Sequence, residues 1–244
     1  MVDECSWPEL EFGCLRKKPD VRMVEDLKPV LAEPEAIDEN FPAYYMYRDL
    51  YESEKDREAI LKSDLRYDIT VIPPAKVGRE YIKTFGHYHP PAEDDLSYTE
   101  IYEVIEGEAI YVLQKRGSLD NRIDDVIAVY AKKGDKVIIP PNYGHVTINP
   151  SEKTLKMANW VCRNFSSVYE PFKKLRGACY YFTESGWVKN ENYECPELRK
   201  VRAVIPDWLG ISRSENMYSL VNDIDRLTFL KNPSVVDYDV FEDI

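Results

Sequence analysis

From Leu65 onward, apolar side chains return at every second position in short runs, and that period commits most of the chain to β-sheet. Leu65, Tyr67, Ile69 and Val71 set the pattern. Further strands are predicted at 80–85, 100–105, 108–114, 124–130, 136–139, 146–149, 155–161 and 178–182, and around 187–188. Turn signals separate them: Glu106-Gly107, Arg116-Gly117, Lys133-Gly134 and Asn149-Pro150. Many short strands with little helix between them make an all-β sandwich or barrel.

The flanks read differently. Residues 1–19 look irregular. Val21, Val24, Leu27 and Leu31 predict a short helix over 20–31 that Pro29 ends or kinks. Ser53 followed by Asp56 predicts an N-cap and a helix to about Lys62. Near the C-terminus Ser212 and Glu215 form a capping box, and Met217, Leu220, Val221, Ile224 and Leu227 recur at helical spacing. The expected organisation is an N-terminal arm and short helix over 1–40, a barrel over 41–202 and a helical extension over 203–244. The apolar stripe of that extension suits either the barrel or a second subunit.

The net charge of −12 argues against nucleic acid or an anionic membrane surface as a partner. An anionic substrate therefore needs a local positive site. Five cysteines, Cys5, Cys14, Cys162, Cys179 and Cys195, are odd in number and lack a C-x-x-C pair, which predicts reduced thiols and a cytoplasmic protein. The acidic start Met1-Val2-Asp3-Glu4-Cys5 is unlike a signal peptide, and no apolar run is long enough to span a membrane.

Histidine occurs three times, as His87, His89 and His145. Alternate residues of a strand share a face, so His87 and His89 can point together, about 7 Å apart. Imidazole suits zinc, iron, nickel or manganese rather than calcium. One carboxylate would complete a shell of three nitrogens and one oxygen. Glu100 is the leading candidate, with Tyr102 beside it on the same face. Glu93 is the competitor, although it lies in the acidic segment 90–95.

These residues fall into two spaced motifs. His87-Tyr88-His89 precedes Glu100, and Gly107 follows Glu100 after six residues. Gly134, Pro140, His145 and Asn149 are separated by five, four and three residues. The pair resembles the two motifs of the cupin superfamily, a double-stranded β-helix or jelly-roll barrel. Two departures are visible: ten residues separate His89 from Glu100, more than is common in cupins, and Asn142 stands where glycine is expected. Asparagine also accepts positive φ.

Within cupins, Thr84-Phe85-Gly86-His87-Tyr88-His89, Glu100-Ile101-Tyr102, Pro74-Ala75-Lys76-Val77-Gly78 and Pro140-Pro141-Asn142-Tyr143-Gly144-His145 resemble the cupin-type glucose-6-phosphate isomerases best known from archaea. The likeness covers roughly residues 20–190. It implies a glycolytic and gluconeogenic isomerase interconverting glucose 6-phosphate and fructose 6-phosphate, and a homodimer. It implies one divalent metal per chain, Fe2+ first and Mn2+, Ni2+ or Zn2+ as alternatives, on His87, His89, Glu100 and His145. Glu100 would also move a proton, and Tyr102 would line the sugar chain. Tyr45, Thr70, Thr84, Gly86 and Tyr169 would surround the sugar phosphate, with help from Lys76, Arg79, Lys83 or Arg163. A family histidine two residues before the late tyrosine is Ser167 here, and a family tyrosine is read as Trp160. Another metal-dependent cupin enzyme, a dioxygenase or decarboxylase, would use the same ligands. A non-catalytic sugar-phosphate-binding cupin is the third reading.

Overall fold

The computed structural model describes residues 7–244. Two facing sheets carry the fold, in the barrel arrangement expected from the alternating pattern. One is antiparallel and six-stranded, in the order Lys136–Ile139, Glu100–Glu106, Leu155–Cys162, Leu65–Ile72, Pro42–Tyr47 and Asp20–Met23. The other has five strands, in the order Tyr143–Ile148, Glu108–Arg116, Ile123–Lys132, Arg199–Ala203 and Phe241–Asp243. Ile123–Lys132 and Arg199–Ala203 run parallel. A smaller sheet holds Lys76–Val77, Glu80–Tyr81, Tyr180–Thr183 and Gly186–Lys189. Val104, Val112, Leu113, Val129, Ile139 and Val146 are among the buried side chains of the main core.

The alternating face of Leu65–Ile72 turns away from this core. Leu65, Tyr67 and Ile69 join Ile101, Ile138, Ala158 and Trp160 in a second cluster, which the C-terminal segment covers with Met217, Leu220, Val221, Leu227, Phe229 and Leu230. The C-terminal stripe therefore packs on the barrel of its own chain. Each of its larger apolar side chains contributes roughly 1.5–3 kcal/mol by leaving water. The opposite parity of the strand, Arg66, Asp68 and Thr70, is left to face an inner cleft.

Several local expectations change. The helix over 20–31 is a strand, Asp20–Met23, followed by a 3-10 helix, Val24–Val30. Val24, Leu27 and Val30 are buried at a spacing of three, which matches a helix with three residues per turn. The C-terminal helix is also 3-10, Met217–Leu230, and breaks at Asp223 with φ −142° and ψ 61°. Its cap is Asn216, whose side chain accepts from Tyr218 N. Ser212 N does donate to Glu215, at 2.8 Å, but only as a turn ahead of that cap. The Glu54–Lys62 helix starts as expected, with Ser53 accepting from Asp56 N. Residues Leu10–Phe12 and Leu15–Lys17 form a hairpin instead of an irregular arm. Cys14, Cys162, Cys179 and Cys195 are free thiols, and Cys5 lies outside the described residues. Among the described residues no helix is long and apolar enough to cross a membrane.

Candidate metal centre

The H-x-H segment lies beside the sheets and not within a long strand. Only Glu80–Tyr81 of the expected 80–85 strand pairs in the small sheet. Beyond it the chain bends at Gly86, with φ 83°, where a Cβ would stand 2.4 Å from a methyl of Val146. No larger residue fits there. The next residue, His87, pairs directly with His145: His87 N donates to His145 O at 3.2 Å, and His145 N to His87 O at 3.0 Å. Backbone pairing thus fixes two imidazoles across from each other. Strand parity brings His89 to the same side and sends Tyr88 the other way, against Phe172. Asn142 takes φ 70°, the conformation its glycine-like position requires.

Glu100 opens the neighbouring strand and completes the group. One side-chain atom from each of His87, His89, Glu100 and His145 lies within 4.8 Å of the others. His89 Nε2 is 3.2 Å from His87 Nε2. Glu100 Oε2 is 3.4 Å from His89 Nε2 and 3.3 Å from His145 Nε2. Its other oxygen, Oε1, accepts from Asn159 Nδ2 at 2.7 Å. Glu93, the competing carboxylate, instead accepts from Asn232 and from Ser234 of the C-terminal segment.

Protonation makes this cluster electron-rich. Burial, then His145 and His89, holds His87 well below the usual imidazole range, and burial lowers His145. His89 Nδ1 donates to the carbonyl of Tyr98 at 3.0 Å, which holds the ring with Nε2 turned toward the cluster. Burial alone would raise the Glu100 pKa, but His145 and His89 bring it well below the carboxylate range, so the group is charged. Glu100 Oε2 is buried with no hydrogen bond. Three imidazole nitrogens and one carboxylate oxygen thus converge on one point. A metal cation is the species that satisfies such a set, and three nitrogens with one oxygen suit a first-row divalent ion.

The cleft beside the cluster, about 740 Å³ with its open mouth included, brings most other expected residues together: Thr70, Thr84, Gly86, Tyr102, Ser167 and Tyr169. Tyr102 OH is 3.2 Å from His145 Nε2. Burial, then the charge of Glu100, raises its pKa well above the phenol range, so it remains a proton donor. Tyr45 is not brought in. Met46 pairs with Thr70 and Tyr45 with Val71, so Tyr45 shares the outer face and meets Trp7. Tyr44 occupies the cleft in its place, with its OH accepting from Phe85 N at 3.3 Å. Trp160 likewise faces outward, its Nε1 donating to Met217 O at 3.1 Å, and Val161 faces the cleft.

The four basic residues considered for phosphate lie elsewhere. Lys83 is buried against Glu80 and Val30 O, Arg79 pairs with Glu33, Lys76 with Glu184 and Arg163 with Asp49. Arg48, Arg66, Asp68 and Asn159, which sequence reasoning passed over, line the cleft instead. The signal was strand parity: they share a face with Thr70 and Tyr102.

Residues 21–197 match the family model described as Glucose-6-phosphate isomerase (GPI). The glucose-6-phosphate isomerase of Thermococcus onnurineus is 32% identical over 149 residues, 59% of this chain and 70% of that protein. That of Thermococcus litoralis is 29% identical over 59% of this chain and 70% of its own length. That of Pyrococcus furiosus is 26% identical over 58% and 69%. Among solved structures, a recombinant oxalate oxidase in complex with glycolate overlaps 44% of this chain and 47% of its own, with a TM-score of 0.34 and 21% identity. The chain spans about half the length of that structure.

Proposed function

The chain belongs to the glucose-6-phosphate isomerase family, and on that premise we propose that it interconverts glucose 6-phosphate and fructose 6-phosphate at the His87, His89, Glu100, His145 centre. The observation that carries the reading is the convergence of three imidazoles and one unpaired carboxylate oxygen at the end of a cleft lined by hydroxyls. The same ligands would serve an oxygenase or decarboxylase, but family membership favours isomerisation.

A divalent ion held by these four side chains would supply Lewis acidity to the carbonyl and hydroxyl oxygens of the substrate. We propose Fe2+ for it, with Mn2+, Ni2+ or Zn2+ able to substitute. The chain's own groups then handle the protons. Glu100 takes the proton from C2 of the aldose. The released electron pair forms the C1–C2 double bond of an enediol, and O1 gains a proton. Return of the carbon-bound proton to C1, with loss of the O2 proton, gives the ketose with no net redox change. Tyr102, held protonated, donates to an oxygen of the sugar chain. Asn159 keeps Glu100 Oε1 occupied and so fixes the direction of the carboxylate. Thr70, Thr84, Gly86, Tyr169 and, in place of Tyr45, Tyr44 surround the sugar phosphate. A homodimer in the cytoplasm completes the proposal.

A coupled assay tests it: protein supplied with Fe2+, Mn2+ or Ni2+, fructose 6-phosphate as substrate, and glucose 6-phosphate detected as product. Turnover is expected with at least one ion, and none with any ion would remove the isomerase reading. Turnover in deuterated water should place deuterium in the product. If the substrate's C2 hydrogen never exchanges with solvent, hydrogen moves directly between carbons and Glu100 is not the base.

A further inference from the structure

We propose that Arg48 and Arg66 form a two-guanidinium subsite for the substrate's phosphate, an inference that rests on the sugar-phosphate reading above. They are the two basic side chains of the cleft lining apart from its imidazoles. In a chain of net charge −12, a dianionic ligand needs strong local donors, and guanidinium groups supply them.

Register places them. Asp68 lies between Arg66 and Thr70 on one strand, with all three on the cleft face. Arg66 pairs with Val161, which in turn pairs with Glu100, so Arg66 stands level with the metal centre two strands away. Both arginines reach one oxygen, Asp68 Oδ2: Arg66 Nε at 2.8 Å and Arg48 Nη1 at 3.6 Å. Asp68 is buried, and its Oδ1 already accepts from Asp49 N at 2.9 Å. Asp68 therefore spaces the two guanidinium groups, and Asp20 pairs with Arg48 from its other side.

The remaining donors are free for a ligand. The two terminal nitrogens of Arg66 donate to no acceptor among the described residues, although its side chain is only 25% exposed. Arg48 Nε is held by Asp20 at 3.1 Å, and its Nη2 meets only the thioether of Met46, at 3.0 Å. Sulfur is a weak acceptor that a phosphate oxygen would displace. Met46 pairs with Thr70, so this arm of Arg48 points toward the hydroxyl side of the cleft. A planar guanidinium presents two parallel donors to phosphate, which a lysine ammonium does not.

The test uses Arg48→Ala, Arg66→Ala and the two Arg→Lys variants of the intact chain, with Arg79→Ala as a control whose ion pair with Glu33 lies outside the cleft. Each alanine variant should raise KM for fructose 6-phosphate about 10- to 100-fold while kcat changes only a few-fold. The lysine variants, which keep charge and fold, should recover part of the loss. Calorimetric titration with inorganic phosphate should show binding to the parent and to Arg79→Ala, and none to the Arg48→Ala/Arg66→Ala pair. Unchanged KM and unchanged phosphate binding would overturn the subsite and leave the isomerase intact. Phosphate binding that depends on both arginines, in a chain that turns over no sugar phosphate, would uphold the subsite and remove the isomerase. A fall in kcat at constant KM would make the arginines structural and also overturn the proposal.

Discussion

Glu100 and Glu103 stand three residues apart on one strand, both buried, and the fold treats them in opposite ways. Glu103 faces outward, beneath the C-terminal segment. Its Oε1 lies 3.2 Å from Lys136 Nζ, and its Oε2 accepts from Met217 N at 2.7 Å. Lys136 also reaches the carbonyls of Gly134, Ser212, Arg213 and Glu215. Every charge there has an internal partner, so the pair locks residues 212–217 onto the sheet. Glu100 faces inward, and the groups nearest its Oε2 are the Nε2 atoms of His89 and His145, 3.4 and 3.3 Å away. Burying a carboxylate costs several kcal/mol unless something compensates it. Glu103 is compensated by the chain itself, whereas on the proposed function Glu100 would be compensated by a bound cation. That contrast separates a structural carboxylate from one that belongs to a site.

The comparison can be broken most forcefully at its inner member. Glu100→Gln keeps the shape and removes the charge. Isomerase activity should fall about 10²- to 10⁴-fold, and metal bound per chain, measured by elemental analysis, should fall with it. Thermal stability should be retained, since no internal cation loses its partner. A variant that keeps its metal and activity would place Glu100 with Glu103 as a structural group.

At the outer member the expectation reverses. Lys136→Met strands Glu103 and should lower stability by about 3–5 kcal/mol, read as a lower urea midpoint. Lys136→Met combined with Glu103→Leu should recover much of that loss, because a buried apolar pair needs no compensation. Metal affinity should be unchanged in both.

Asn159→Leu sharpens the inner side by freeing Glu100 Oε1. Metal affinity, followed by competition with a chelator, should weaken about 10- to 100-fold, and Asn159→Gln should be intermediate. The smallest effect tests strand parity. Tyr45→Phe, on the outer face, should leave KM for fructose 6-phosphate unaltered and stability within about 0.5 kcal/mol. Tyr44→Phe should raise KM several-fold.

Parity also explains what the sequence could and could not disclose. The candidate ligands stood out because histidine is scarce and the motif spacings are rigid, and the fold brings His87, His89, Glu100 and His145 together. The apolar alternation of Leu65, Tyr67, Ile69 and Val71 announced a strand without saying which face met the barrel interior. Once the C-terminal segment covers that apolar face, the polar parity of Arg66, Asp68 and Thr70 becomes the inner one. Tyr44 and Tyr45 are adjacent tyrosines, and only register with Thr70 decides between them. Arg199–Ala203 gave no strand signal because adjacent Arg199 and Lys200 break any alternation, and its parallel partner in the sheet is more than sixty residues earlier in the chain. The C-terminal stripe kept its apolar residues but adopted 3-10 turns, a choice set by the surface it covers.

On the proposed function, these four side chains hold the ion on which turnover depends. Exhaustive chelation followed by stepwise return of Mn2+, with bound metal and fructose 6-phosphate turnover measured on the same samples, tests it most directly. Activity should vanish on chelation and return in proportion to metal, saturating at one ion per chain, and Glu100→Ala should regain neither. Turnover that survives both chelation and Glu100→Ala would contradict the account.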